Sequence, residues 1–220
     1  MSSRWWRPFV VLLSALGLIA FAIAFVDRPA STWSHAEDLR RFPLFDALTH
    51  LVDPLLPGAL LGLIAVGLAV ACGGWKPGEK GLTFVASCLA VVVAYAIKER
   101  LKFMFGRTWP DTWVDNNPSW IKDGAYGFHF FHGGEGWSSF PSGHTTVMAA
   151  LASVLWIRIR AWRWLWAGLV LLVVVGLLGA DYHFVGDMVA GAYLGAVCAA
   201  GVVAFLERIR SSGLADKSEP

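Results

Sequence analysis

Uncharged stretches recur six times along the chain, at Pro8–Val26, Pro54–Trp75, Gly81–Ile97, Gly136–Ile157, Trp164–Ala180 and Met188–Leu206, each 17 to 22 residues long. About 20 apolar residues in a helix cross the hydrocarbon core of a bilayer. The pattern therefore predicts an all-α polytopic membrane protein with six transmembrane helices. The fourth run contains the polar turn Pro141-Ser142-Gly143-His144, so its helix starts inside the run. The first run has an apolar part longer than the 7–15 residues usual in a signal peptide and reads as an uncleaved helix. Between the first two runs, Leu39, Phe42, Leu44, Phe45, Leu48 and Leu51 have the spacing of a short amphipathic interfacial helix, kinked or restarted at Pro43. No polar segment is long enough to fold alone, which predicts one membrane-embedded domain over residues 1–220. Residues 211–220 read as a disordered tail.

Composition strengthens this picture. The chain is 56% hydrophobic and 15% charged, against roughly 25% charged in soluble domains. Its net charge of +2 says little about partners, and no basic tract suggests nucleic acid. Cys72, Cys88 and Cys198 all lie in apolar runs and read as small buried hydrophobes. Lys and Arg near helix ends favour the cytoplasm. With the N-terminus inside, Arg4, Arg7, Lys76, Lys80, Arg158, Arg160, Arg163, Arg208, Arg210 and Lys217 are cytoplasmic. Arg28, Arg40, Arg41, Lys98, Arg100, Lys102, Arg107 and Lys122 then fall outside, and the last five need another reason to be there. This orientation makes both termini cytoplasmic. It also brings the long loop 98–141, the Pro141–His144 turn and the 181–187 turn to one extracytoplasmic face.

Three clusters on that face carry candidate chemistry. Lys98, Arg100, Lys102 and Arg107 are more cations than snorkelling at a helix end explains, and suggest an anion site. Ser142 is placed as an N-cap, Gly143 lets a ligand approach the backbone, and the free N–H groups of a helix start bind phosphate. His144 would face that ligand, although a plain capping turn explains the tetrapeptide equally well. His183 and Asp187 are four apart, so on a helix the carboxylate can hold one imidazole nitrogen and leave the other as nucleophile. The loop between the first two clusters carries Trp113, Trp120, Tyr126, Phe128, Phe130, Phe131 and Trp137, which suit an interfacial lid. His129 and His132, near Glu135, read as headgroup contacts rather than metal ligands, and His35 and His50 as surface residues.

These motifs resemble the type 2 phosphatidic-acid phosphatase superfamily of integral membrane phosphatases and phosphotransferases, over about residues 80–206. The Pro141–His144 motif is complete. The family's lysine–six residues–arginine–proline motif fits at Lys102 and Pro110, with Trp109 in the arginine position. Its serine–arginine–five residues–histidine–three residues–aspartate motif fits at His183 and Asp187, with Gly176 and Leu177 replacing serine and arginine. The resemblance implies hydrolysis of a lipid phosphate or pyrophosphate, without metal or other cofactor, through a phosphohistidine on His183. Asp187 would orient that ring, and His144 would protonate the leaving alkoxide and then activate water. Substrate would be held by Lys102, Ser142 and Gly143, with Arg107 as the substitute for the missing arginines and Arg100 and Lys98 as weaker candidates. A lipid phosphotransferase using the same site, or an inactive lipid-binding or transport relative, are the alternatives. The partners implied are the bilayer and a lipid phosphate in it, in a bacterial inner membrane.

Overall fold

The computed structural model describes residues 6–75, 77–113 and 116–215. Arg4, Lys76 and Lys217, which weigh in the orientation, lie outside this set, as do residues 216–220 of the proposed tail. The elements are helical throughout: α1 (Arg7–Phe21), α2 (Asp27–Ala36), α3 (Pro43–Thr49), α4 (Leu55–Gly73), α5 (Glu79–Phe105), a single turn α6 (Trp120–Asp123), α7 (Gly143–Arg158), α8 (Arg163–Gly179) and α9 (Val185–Ala215). Residues 211–215 continue α9 and so do not belong to a disordered tail.

Among the described residues, five stretches are long and apolar enough to cross a membrane: Pro8–Ala36, Pro43–Gly73, Glu79–Phe105, Arg160–Gly179 and Val185–Ser212. The protein is an integral membrane protein with multiple spans. Six spans were expected. The fourth run forms only the 16-residue α7, because Ser142 caps its start and Ile159 leaves helical geometry at its end. At 1.5 Å per residue α7 is about 24 Å long.

The first helix departs most from expectation. The charges at Asp27 and Arg28 do not end it. Helix continues to Ala36 through a π-turn at Ala22–Val26. Such turns accommodate local irregularity, here ending three residues before Pro29. On α2 the buried residues are Asp27, Ser31 and Ser34, a polar stripe at helical spacing that faces inward. The predicted restart at Pro43 is present as α3. It packs on α8, where any side chain at Gly176 or Gly179 would collide with Leu48 and Phe45.

α7 lies at the centre, between α5 and α9, and residues such as Ala90, Ala94, Ala150, Val154 and Ala199 fill the space between them. Small residues let the backbones close in. A Cβ on Gly191 would lie 2.6 Å from the Ser142 carbonyl, and one on Gly195 would lie 2.7 Å from the Ala150 nitrogen. This contact sets the start of α9, which carries Asp187, against the start of α7, which carries His144.

The described residues of the loop between Gly106 and Pro141 are folded rather than structureless. His129 N–H donates to the Gly106 carbonyl, and Thr108 N–H to that of Gly127. Gly106 has φ +54°, and a Cβ there would strike the His129 carbonyl, so only glycine fits. Phe105, Phe128 and Phe140 meet edge to face at centroid distances of 4.8–5.9 Å and anchor the loop to the end of α5.

Candidate active site

A cavity of about 580 Å³ opens where α5, α7 and the turn before α9 meet. Lys98, Lys102 and Tyr95 of α5 line one side. Gly143, His144 and Val147 of α7 line another, and Trp109, Trp113, Tyr182 and His183 come from the loops. The two imidazoles face each other with ring centroids 6.3 Å apart. Sequence reasoning places both histidines, Lys98, Lys102 and Gly143 here, and the structure brings them together.

His183 is 3% exposed. Its Nδ1 lies 3.5 Å from Asp187 Oδ2 and 3.4 Å from Ser139 Oγ. Those distances are at the outer limit of hydrogen bonding. The same Asp187 oxygen accepts from Ser139 Oγ at 2.6 Å and from the Phe184 N–H at 3.1 Å. A carboxylate beside Nδ1 favours the tautomer with the proton on that nitrogen, which leaves the Nε2 lone pair free. Burial holds the ring below its ordinary basicity, and the Asp187 charge opposes this only in part. Burial therefore favours the neutral form of the ring. Ser139 was not foreseen from the sequence. It is fully buried and tied to the loop by its N–H bond to the Arg107 carbonyl.

Ser142 caps α7 as expected, its Oγ accepting from Thr145 N–H, while its own N–H donates to the Asp187 carbonyl. The hydroxyl is buried by this work and does not line the cavity. Gly143 does. A Cβ there would lie 3.1 Å from Lys98 Nζ. Lys98 also ion-pairs with Glu99 and lies over the Tyr95 ring. Lys102 Nζ lies 5.6 Å from the Trp109 ring centre.

Two expected substrate contacts need correction. Arg100 is exposed and does not line the cavity. Arg107 is fully buried and also absent from the lining. Its Nη1 donates to Asp187 Oδ1 at 2.5 Å, and its Nη2 to Asp27 Oδ2 at 2.6 Å and to the Tyr126 hydroxyl at 2.9 Å. Two carboxylates hold the guanidinium away from the space where a substrate would sit. Asp27 went unnoticed because it looks like a charge ending an apolar run.

The aromatic loop is divided. Trp113 lines the cavity, while Phe130 and Phe131 stand exposed. His129 and His132 both pack on Trp137. Among the described residues no three His, Cys, Asp or Glu side chains gather closely enough to hold a metal ion.

The sequence profile of the PAP2 superfamily matches residues 83–211. The chain belongs to the PAP2 superfamily. No curated protein matches it in sequence. Among solved structures it is similar to a transmembrane PAP2-type phosphatidylglycerolphosphate phosphatase from Bacillus subtilis, with TM-score 0.60 and 22% identity, over 93% of this chain and 98% of that one. At that identity the likeness speaks for the fold. This PAP2 protein is a membrane lipid phosphatase by family, and its departures from the family motifs are structural. Trp109 stacks beside His183, centroids 5.0 Å apart, and its indole N–H donates to the Glu135 carbonyl. Leu177 is fully enclosed in the apolar core with Val173 and Met188. An arginine there would have to displace that core.

Just before His183, this PAP2 chain buries Asp181 in a left-handed turn with φ +55°. Burial, with the nearby Asp111 charge adding to it, pushes its carboxyl up to about 7. A carboxyl raised in the folded state favours folding below its unfolded value near 4, and that advantage is lost as pH rises through 7. Asp181→Asn, which tolerates the turn, is expected to match wild type in melting temperature at pH 4. At pH 8 it should melt higher, reflecting a stability gain of up to about 4 kcal/mol. Melting curves in detergent across that range check this. Equal melting at both pH values would contradict it.

Proposed function

We propose that this protein hydrolyses a lipid phosphate or pyrophosphate at the extracytoplasmic face of a bacterial inner membrane. It would do so through a phosphohistidine, as a six-span protein with both termini cytoplasmic and α7 as the sixth span. One observation carries this reading. Lys98, Lys102 and the N-terminus of α7 converge on the cavity between two histidines. Two ammonium groups and the positive end of a helix dipole repel one another. An anion between them turns that repulsion into binding, and a phosphoryl group has the charge and the oxygens for it.

The chemistry follows from positions. The Nε2 lone pair of His183 attacks phosphorus, and the bond from phosphorus to the lipid oxygen breaks. His144, across the cavity, protonated once the anionic substrate is bound, gives its proton to the departing alkoxide. Water then enters, loses a proton to His144 and attacks phosphorus. The P–N bond breaks, releasing phosphate and restoring His183. Asp187 stabilises the positive imidazole while the phosphoryl group is attached. Such transfer depends mainly on positioning and on charge placed in advance. Lys98 and Lys102 hold the equatorial oxygens, with the Gly143 backbone beside them.

Purified protein is expected to release inorganic phosphate from at least one of phosphatidic acid, phosphatidylglycerol phosphate, a polyprenyl pyrophosphate or a lipid A phosphate, in the presence of EDTA. In sealed right-side-out vesicles the phosphate should appear outside. Transfer to an acceptor lipid without free phosphate would replace hydrolase by phosphotransferase. No turnover of any of the four would leave a lipid-binding relative.

A further inference from the structure

The buried triplet Asp27–Arg107–Asp187 is more than the proposed reaction uses. All three side chains are fully enclosed. Arg107 joins the two carboxylates through different nitrogens, and the Tyr126 hydroxyl donates to the Ile23 carbonyl exposed by the π-turn. The second Asp27 oxygen accepts from the Gly186 N–H at 2.7 Å, next to Asp187 itself. Asp27 thus grips the first turn of α9 twice, once through its backbone and once through Arg107. Gly186 leaves room for this, since a Cβ there would lie 3.0 Å from Asp27 Oδ2.

Burying charge is costly unless it is paired and hydrogen-bonded. A lone Arg107 beside Asp187 would anchor the carboxylate but cancel its charge. That would leave His183 facing only the cations Lys98 and Lys102 and the second imidazole of His144. With Asp27 included, the triplet keeps one net negative charge, close to the ring that must become cationic. Arg107 also fixes Asp187 Oδ1, while Ser139 and Phe184 N–H fix Oδ2. The carboxylate has no freedom left to turn away from Nδ1.

We propose that Asp27 and Arg107 are positioning residues for the His183–Asp187 pair: Arg107 locks the Asp187 carboxylate against His183 Nδ1, and Asp27 restores the negative charge that Arg107 removes. The proposal rests on His183 being the nucleophile of the reading above. It places a part of the site on the first helix, outside the segment that matches the family, 83–211.

The test reads the His183 tautomer directly. The full chain is purified in detergent with ¹⁵N-labelled histidine rings, and spectra are taken at pH 8, with Asp187→Asn as the reference for a released ring. Wild type is expected to carry the proton on Nδ1. Asp27→Asn and Arg107→Gln should each populate the Nε2–H form, and should lower kcat on dioctanoyl phosphatidic acid by about 10- to 100-fold, the scale for residues that orient a reacting group. KM should stay within about threefold. Tyr126→Phe, which removes one hydrogen bond from each partner, is the milder variant should either of these fail to fold. It should lower kcat severalfold, again at constant KM. A raised KM and weakened vanadate inhibition in Arg107→Gln, with an unchanged tautomer, would make Arg107 a phosphate ligand and overturn the proposal. So would activity falling only in step with the folded fraction. The tautomer comparison stands whether or not wild type turns over this lipid, so failure of the phosphatase reading and failure of the positioning proposal are told apart.

Discussion

His183→Ala is expected to lower kcat on a lipid phosphate by about 10⁴-fold or more, on the scale seen when the nucleophile of a covalent mechanism is removed. The protein should remain folded, because the ring packs beside Trp109 in the cavity wall rather than in the apolar core. His144→Ala should be nearly as damaging on a lipid substrate, whose alkoxide leaves poorly without a proton. The two variants separate with an activated ester such as p-nitrophenyl phosphate. Its leaving group needs no acid, so His144→Ala should form the phosphohistidine and then stall, because nothing activates water. An acid-labile, base-stable label on the protein should accumulate in His144→Ala and be absent from His183→Ala. Label in both variants would place the nucleophile elsewhere. Label in neither, with activity retained, would point to direct attack by water.

The second large effect belongs to Lys102. It lines the cavity beside Trp109, the residue standing at the family's arginine position. Lys102→Ala is expected to reduce kcat/KM by about 10²- to 10³-fold, the range for deleting one group that meets developing oxyanion charge. Lys98→Ala should cost less, since Glu99 already takes up part of its charge. Lys102→Arg should keep part of the activity, because charge is retained while the planar fork needs more width than a point charge. The check is kcat/KM on the lipid phosphate that wild type turns over fastest. If Lys102→Ala stays within a few-fold of wild type, the cations are headgroup contacts. Arg107→Ala should also lose activity, but through kcat rather than KM, the reverse of what a substrate clamp would do.

Much of this site is legible in the sequence because its chemistry is local. Pro141 to His144 is contiguous, and His183 and Asp187 are four apart in sequence, although His183 stands in the turn before α9 rather than on the helix. Lys98 and Lys102 are one turn apart on α5. Apolar run length also finds the helices, since a bilayer demands a minimum length. Boundaries are harder, because a charge ends an apolar run in sequence without ending the helix. Asp27 is buried against Arg107, and Lys98 against Tyr95 and Glu99, so both helices continue past the charges. Arg107 was misassigned for the same reason. Its partner is 80 residues away, and only folding brings Asp27 to it. Ser139 gives no local sign of its role either, since its bond to Asp187 spans 48 residues.

The close approach of α7 and α9 bears on how the protein meets changes in its lipid surroundings. At Gly191 and Gly195 the two helices approach so closely that no side chain from α9 fits between them, and a lipid tail has no gap to enter. His144 rides on one rail of this joint and Asp187 on the other, with His183 just ahead of it. When temperature or acyl composition thickens or thins the bilayer, the outer helices can tilt to follow it. With His144 in the first turn of α7 and His183 just before α9, this joint is expected to hold the imidazoles near their 6.3 Å separation while the outer helices tilt. Reaction geometry is thereby insulated from membrane fluidity, and adaptation to a new membrane can proceed by changing the peripheral helices alone.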